Sequence, residues 1–138
     1  EVYYPNTITL RTSVIGHELN STYALIDWFL SQKKSIKGYT RMIFSGLPSY
    51  ELAKVVGDFV IPKAKLNGLY HVGAKPISKF ELLRLVKDEY KKDITIDPDD
   101  KIKIDRSLNS NLFQRDTGYI APSWIQMISE MYSFYKED

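Results

Sequence analysis

The run Thr7-Ile8-Thr9-Leu10-Arg11-Thr12-Ser13-Val14-Ile15-Gly16-His17-Glu18 constrains the chain more than any other stretch. Ile8 and Leu10 alternate with Thr7, Thr9 and Arg11, and β-branched residues dominate, so the spacing predicts a strand that ends near Ser13 and leaves its sheet at Gly16. A polar loop from His17 to Asn20 follows, and Asn20-Ser21-Thr22 supplies N-cap residues for a helix. The unit is strand, loop, helix, with the loop at the carboxyl end of the strand. Open α/β sheets bind ligands at that edge.

Tyr23 to Leu30 is apolar over most of a helical circumference, so this helix must be covered on more than one side. Lys33 and Lys34 suit the negative end of its dipole, and Ser35 to Gly38 breaks it. Tyr39 to Phe44 reads as a short extended segment. Gly46-Leu47-Pro48-Ser49 then turns into a second helix with Leu52, Val55, Val56, Phe59 and Val60 at helical spacing, stopped at Pro62. Leu69 to Val72 is a short strand between Gly68 and Gly73. Ser78 and Glu81 form a capping box, with Ile77 and Leu82 as its hydrophobic staple. Ile94 to Ile96 alternates as a strand, and Asp97-Pro98-Asp99-Asp100 is expected to turn the chain. Asn109 is placed to cap a helical turn through Leu112 and Phe113 that closes at Gly118. Pro122-Ser123 opens a last helix with Ile125, Ile128, Met131, Tyr132 and Tyr135 expected on one face.

Several function classes drop out on composition. No apolar run approaches the ~18 residues of a membrane-spanning helix. With a net charge of +2, and with Lys33-Lys34, Lys63 to Lys65 and Lys91-Lys92 scattered rather than striped, no nucleic-acid partner is expected. The absence of cysteine removes disulfides and thiolate metal sites, and with His17 and His71 as the only histidines a zinc site is not expected. At 138 residues the chain reads as one domain, 1–138, without repeats or linkers. Glu1-Val2-Tyr3-Tyr4-Pro5 carries no signal-peptide pattern, and entry into a strand so soon suggests a piece whose upstream sequence lies outside the chain.

No glycine-rich turn joins a strand to a helix, and no serine sits in a nucleophile elbow. His17 and Glu18 occupy the loop where a proton-transfer residue could act, although a polar loop before a helix is the simpler reading. His71, within a short strand, reads as a packed or hydrogen-bonded histidine, and the tyrosines read as amphipathic packing. The acids around Pro98 read as solvent-facing turn residues rather than a cation site. Asp105-Arg106-Ser107-Leu108-Asn109-Ser110 brings an arginine to the start of a helical turn, where anion binding and a plain cap are both open.

Several stretches, in the same order, resemble extended short-chain dehydrogenase/reductases of the dTDP-4-dehydrorhamnose reductase type. They are Arg11-Thr12-Ser13, Gly46-Leu47-Pro48-Ser49 with Leu52-Ala53, Gly68-Leu69-Tyr70-His71-Val72, Ile77-Ser78 with Phe80-Glu81, Arg106 with Asn109-Ser110 and Leu112, and Pro122-Ser123-Trp124. The resemblance implies an α/β chain holding the terminal strands of a Rossmann-type sheet plus the smaller mixed α/β substrate-binding part. The nucleotide-binding Rossmann half, with its glycine-rich loop and catalytic Tyr-x-x-x-Lys, is then expected upstream of Glu1. By the same resemblance Thr12 and Ser13 would contact NAD or NADP in the full-length protein, with none expected for the chain alone. Ser13, Val14, Arg106 and Asn109 would contact a nucleotide-sugar substrate, Arg106 and Asn109 meeting its diphosphate and ribose. No catalytic residue and no metal is expected in this chain, the setting is expected to be cytoplasmic, and loss of the covering half leaves self-association open.

The sequence departs from that pattern at Val14, where tryptophan or asparagine is usual, and at Ser107, which replaces a proline. The interval from Pro48 to Ala53 is also shorter. These departures bear on the sugar rather than on the class. The competing reading is a non-catalytic module of the same fold, binding a partner protein through Tyr23 to Leu30.

Overall fold

The computed structural model describes residues 6–18, 23–63 and 65–137. Its elements begin with β1 (Ile8–Arg11), β2 (Val14–Ile15), α1 (Leu25–Ser31), β3 (Ile36–Tyr39), β4 (Met42–Phe44), β5 (Leu47–Pro48) and α2 (Ser49–Lys54). A π-helical segment (Val55–Val60) continues α2, and β6 (Gly68–His71), β7 (Ile77–Ser78) and α3 (Lys79–Glu89) follow. The chain closes with β8 (Ile96–Asp99), β9 (Ile104–Asp105), α4 (Asn111–Thr117) and α5 (Trp124–Glu137).

The expected first strand is present but divided. β1 ladders in parallel with β6, Ile8 opposite Gly68 and Arg11 opposite His71, whereas β2 pairs in parallel with β5. Thr12 and Ser13 are the step between partners: the Leu47 N–H donates to the Ser13 carbonyl at 2.9 Å, just past the last β1 rung. The strand therefore changes its sheet partner at the residues the sequence singles out.

Asn20, Ser21 and Thr22, expected to cap the following helix, lie outside the described residues. Within them α1 begins at Leu25, behind an extended Ala24 with no side-chain cap. Tyr23, expected on the helix's apolar face, precedes it and is 92% exposed, while Ile26 and Phe29 are fully buried. Covering of this helix is therefore real but concentrated on one face. The capping box is correct at its serine, since Ser78 Oγ accepts from the Glu81 N–H at 3.1 Å. The serine hydroxyl also lies 3.1 Å from the Glu81 carboxylate.

Some expectations are corrected. Ser35 to Gly38 is not only a helix break: Ile36–Tyr39 forms β3, and Tyr39 to Phe44 is two strands around a turn at Thr40 and Arg41. Asp97-Pro98-Asp99 is not a turn but the body of β8, parallel to β3 with Gly38 opposite Pro98. The Ile36 and Thr40 N–H groups bond the Thr95 and Asp99 carbonyls, so by strand alternation the missing N–H of Pro98 faces away from the ladder, where proline is tolerated. Asp99 takes the Lys101 N–H and the Lys37 ammonium, and no cluster of metal-ligating side chains forms among the described residues.

The second helix loses its expected phase because its backbone widens into the π form at Val55. Glu51 and Val55 are buried, whereas Leu52, Val56, Phe59 and Val60 are only partly so. In α5 the buried stripe is Trp124, Met127, Ile128 and Met131, at i, i+3, i+4 and i+7, and Ile125 lies outside it at 68% exposure. Tyr132, partly buried, packs against Tyr90, whereas Tyr135 is 49% exposed and touches the body through its stack on His17. Leu82, Leu83 and Val86 of α3, Phe113 of α4, and Leu47 and Val72 join that stripe in one core.

Candidate functional site

The predicted site residues sit at two edges of one junction, Ser45–Gly46. Gly46 lies so close to the Ser13 carbonyl that a Cβ there would approach its oxygen to 2.1 Å, so only glycine lets β2 and β5 meet beside Thr12 and Ser13. Ser45, buried to 1% exposure, reaches the other way. Its carbonyl accepts from Ala74 N–H at 2.7 Å and its hydroxyl from Leu108 N–H at 2.8 Å. The segment carrying Arg106 and Asn109 is thereby fixed to the same turn that fixes Ser13. Thr12 is partly buried, whereas Ser13, Val14, Arg106 and Asn109 are exposed.

Arg106 and Asn109 nevertheless serve different hollows. Asn109 lines a cleft of about 560 Å³ with Gly73, Lys75, Ser107, Gln114 and Ile120. Its Oδ1 accepts from the Asn111 N–H at 2.9 Å, closing a turn over two residues, so Ser110 rather than Asn109 takes the cap position of α4. The helix ends where expected, at Gly118 with φ 81°.

Arg106 lines a smaller hollow of about 290 Å³ with Leu25, Met42, Phe44, Lys79 and Leu82. Its walls are apolar, and among the described residues that line it the charged ones are both cations. Asp105, the acid beside Arg106, is turned to the Ser107 N–H and hydroxyl at 2.9 and 2.6 Å, and these bonds hold its carboxyl below the usual range. Neither Lys79 nor Arg106 has an ion-pair partner among the described residues. The Lys79 ammonium lies 5.8 Å from the Trp28 ring centroid, and burial lowers its pKa. An apolar pit carrying uncompensated positive charge fits an organic anion.

His17 is held at both ring nitrogens. Asp27 Oδ1 lies 2.7 Å from Nδ1, and the Tyr90 hydroxyl 2.8 Å from Nε2. A carboxylate can only accept, so Nδ1 carries the shared proton and Nε2 accepts from Tyr90. The ring stacks on Tyr135 at 4.3 Å, and Asp27 Oδ2 takes the Glu18 N–H at 2.6 Å. With no nitrogen left over, His17 is a tether between the loop and α1, α3 and α5. His71 likewise meets the Arg11 guanidinium at 3.3 Å within the β1–β6 ladder.

The Tyr-x-x-x-Lys spacing, expected only upstream, also occurs inside the chain, at Tyr50–Lys54 and Tyr132–Lys136. Neither is arranged as an acid with a lysine that lowers its pKa. The Tyr50 hydroxyl donates to the Met127 carbonyl at 3.0 Å, and Lys54 pairs with Glu130 at 2.9 Å. Burial and the Glu130 charge push the Tyr50 phenol up. Lys136 lies over the Tyr132 ring face, 4.5 Å from its centroid. The sequence reading overlooked Lys79, Phe44 and Ser45 as site residues. The capping box located Ser78, but nothing local links Lys79 to an arginine so distant along the chain.

No protein-family model matches the chain, and no curated protein matches it in sequence. Solved structures do. The chain is similar to dTDP-4-dehydrorhamnose reductase from Bacillus anthracis in complex with NADP, with a TM-score of 0.78 and 16% identity over 95% of this chain and 49% of that one. It is similar to UDP-N-acetylglucosamine 4-epimerase from Bacillus cereus, with a TM-score of 0.72 and 13% identity over 94% and 48%. It is also similar to UDP-N-acetylglucosamine 4-epimerase from Methanobrevibacter ruminantium in complex with UDP-N-acetylmuramic acid, with a TM-score of 0.65 and 23% identity over 94% and 46%. The chain spans about half the length of these structures. Its fold is mixed α/β with parallel strands, that of the C-terminal part of Rossmann-type short-chain dehydrogenase/reductase structures.

Proposed function

We propose that the chain is the sugar-nucleotide-binding part of an NAD(P)-dependent reductase or epimerase, inactive by itself, and that its Lys79–Arg106 hollow receives the nucleoside diphosphate. The observation that carries this reading is the pit itself: apolar walls from Leu25, Phe44 and Leu82 suit a base, and cations without an ion-pair partner among the described residues suit phosphate. The fold likeness to enzymes solved with NADP and with a UDP-sugar supports it. Thr12, Ser13 and Val14 follow the end of β1 and would meet nicotinamide and sugar, while Asn109, in its own cleft, would meet the ribose. NAD(P) supplies the hydride chemistry when bound. Among the described residues no glycine-rich turn cradles a pyrophosphate, so this chain's own part is to bind and orient the sugar nucleotide. The interaction-module reading relied on the apolar run Tyr23 to Leu30, and Ile26 and Phe29 are turned into the core. No observation favours it.

The test is Arg106→Ala. A guanidinium–phosphate bond contributes roughly 1.5 to 3 kcal/mol, so nucleoside diphosphate binding should weaken about 10- to 100-fold. Arg106→Lys should recover only part, because a point charge cannot reproduce the fork. Unchanged affinity accompanied by a large fall in melting temperature would make Arg106 a structural residue and sink the reading.

A further inference from the structure

Ser45 stands where the ladder between β4 and β9 changes its pattern. Along that parallel pair the Ile104 N–H bonds the Arg41 carbonyl and the Arg106 N–H bonds the Ile43 carbonyl, both at 3.1 Å. By the alternation of such a ladder the next donor is Leu108 and the next acceptor the Ser45 carbonyl. That carbonyl instead accepts from the Ala74 N–H at 2.7 Å, and Leu108 donates to the Ser45 hydroxyl at 2.8 Å. A buried side chain thus supplies the rung that its own backbone gives to another segment. Gly73 permits the exchange, since a Cβ there would come within 2.3 Å of the Ser45 carbonyl oxygen.

Both bonds end in the cleft that Asn109 lines. Gly73 to Pro76 and Ser107 to Asn111 contribute to its lining, and Ser45 holds each of these segments by one bond. The first segment has a second anchor, because the Trp124 indole N–H donates to the Lys75 carbonyl at 2.7 Å. In the second, the bonds at Ser107 and Asn109 are local: the Asp105 carboxylate takes the Ser107 N–H, and Asn109 Oδ1 takes the Asn111 N–H. Arg106, one rung earlier, is held by backbone and has no need of the hydroxyl. Resting on the reading of Asn109 as the ribose contact, we infer that Ser45 is a positioning residue for the sugar nucleotide: through Leu108 its hydroxyl sets where Asn109 stands, while Arg106 keeps its place without it. Phosphate and ribose are then addressed by one segment whose two contacts are fixed by different bonds.

The 138-residue chain carries all of these bonds, so the experiment uses it as it stands. Uridine diphosphate and inorganic pyrophosphate are titrated by calorimetry into the unaltered chain, Ser45→Ala, Asn109→Ala and the double variant, and amide exchange is followed at Leu108 and Arg106. Alanine removes a single oxygen atom from position 45 and leaves the surrounding packing in place. In Ser45→Ala, exchange should quicken about 10-fold at Leu108 and stay unchanged at Arg106. Each single variant should weaken uridine diphosphate about 3- to 10-fold, the worth of a neutral hydrogen bond. The double variant should bind no more weakly than Asn109→Ala alone, because a residue that acts through another adds nothing once that other is gone. Pyrophosphate, which has no ribose, should keep its affinity within about twofold in every variant. Losses that add in the double variant, equal weakening of pyrophosphate in Ser45→Ala, or unchanged uridine diphosphate affinity in Ser45→Ala would each overturn the role of Ser45 while leaving the nucleotide site standing. If uridine diphosphate does not bind the unaltered chain, the nucleotide reading fails and the ribose role fails with it, whereas exchange at Leu108 still decides whether Ser45 holds that segment.

Discussion

Removing the His17 side chain tests whether the loop after β2 is anchored as the geometry indicates. His17→Ala deletes the contact with Asp27 at 2.7 Å, the contact with Tyr90 at 2.8 Å and the stack on Tyr135 at 4.3 Å. A hydrogen bond to a charged group contributes roughly 1.5 to 3 kcal/mol and a neutral one roughly 0.5 to 1.5, so the bonds together contribute roughly 2 to 4.5 kcal/mol. Asp27 keeps the Glu18 N–H but loses its side-chain partner in a partly buried position. For a domain of this size each kcal/mol moves the melting temperature by roughly 3 to 4 °C, which sets the expected fall at roughly 6 to 18 °C. His17→Phe separates the contributions, because it keeps an aromatic ring against Tyr135 and removes both bonds. Urea denaturation of the three proteins gives the free energies. A loss below about 0.5 kcal/mol for His17→Ala, the range of ordinary surface changes, would refute the tether and return His17 to the free-loop role that the sequence left open.

Burial raises the phenols of Tyr50, Tyr90 and Tyr119, the last of which also donates to the buried Glu51 carboxylate at 2.9 Å. A raised folded pKa means full stability below the unfolded value of about 10 and progressive loss as pH rises beyond it, since the unfolded chain releases these protons first. Ionisation of these three phenols should therefore accompany loss of near-ultraviolet dichroism, and tyrosinate forming at Tyr50, Tyr90 or Tyr119 in a still-folded chain would contradict the assignment. The chain alone should also bind neither NADH nor NADPH tightly, for want of a phosphate-cradling loop. Micromolar affinity by calorimetry would mean that the cofactor is held by residues assigned here to other work.

Features decided by neighbouring residues were legible in the sequence. The Ser78–Glu81 cap and the glycine stop at Gly118 depend on spacing within a turn or two, and both are found. Features decided by distant partners were not. Asp97-Pro98-Asp99 has turn composition but becomes a strand because β3 offers N–H groups on the side where Pro98 needs none to give. The phase of the second helix was hidden because a π turn changes the angle per residue on which the reading relied. Arg106 was visible as a lone cation, whereas its partner Lys79 becomes visible only when β4 brings β7 and β9 to its two sides.

Pro98 has a further effect on how copies of the chain meet one another. β8 stands at the margin of its sheet, and its outward side shows a proline without an N–H between Asp97 and Asp99, so a stray strand finds neither a full set of donors nor a neutral surface. β1 is bordered differently: β6 is its one ladder partner among the described residues, and Ile8, Thr9 and Leu10 precede its single charge, Arg11. Aggregation by edge-to-edge stacking would therefore begin at β1 and stop at β8. A lysine at Thr9 should suppress it, and replacing Pro98 should open a second front.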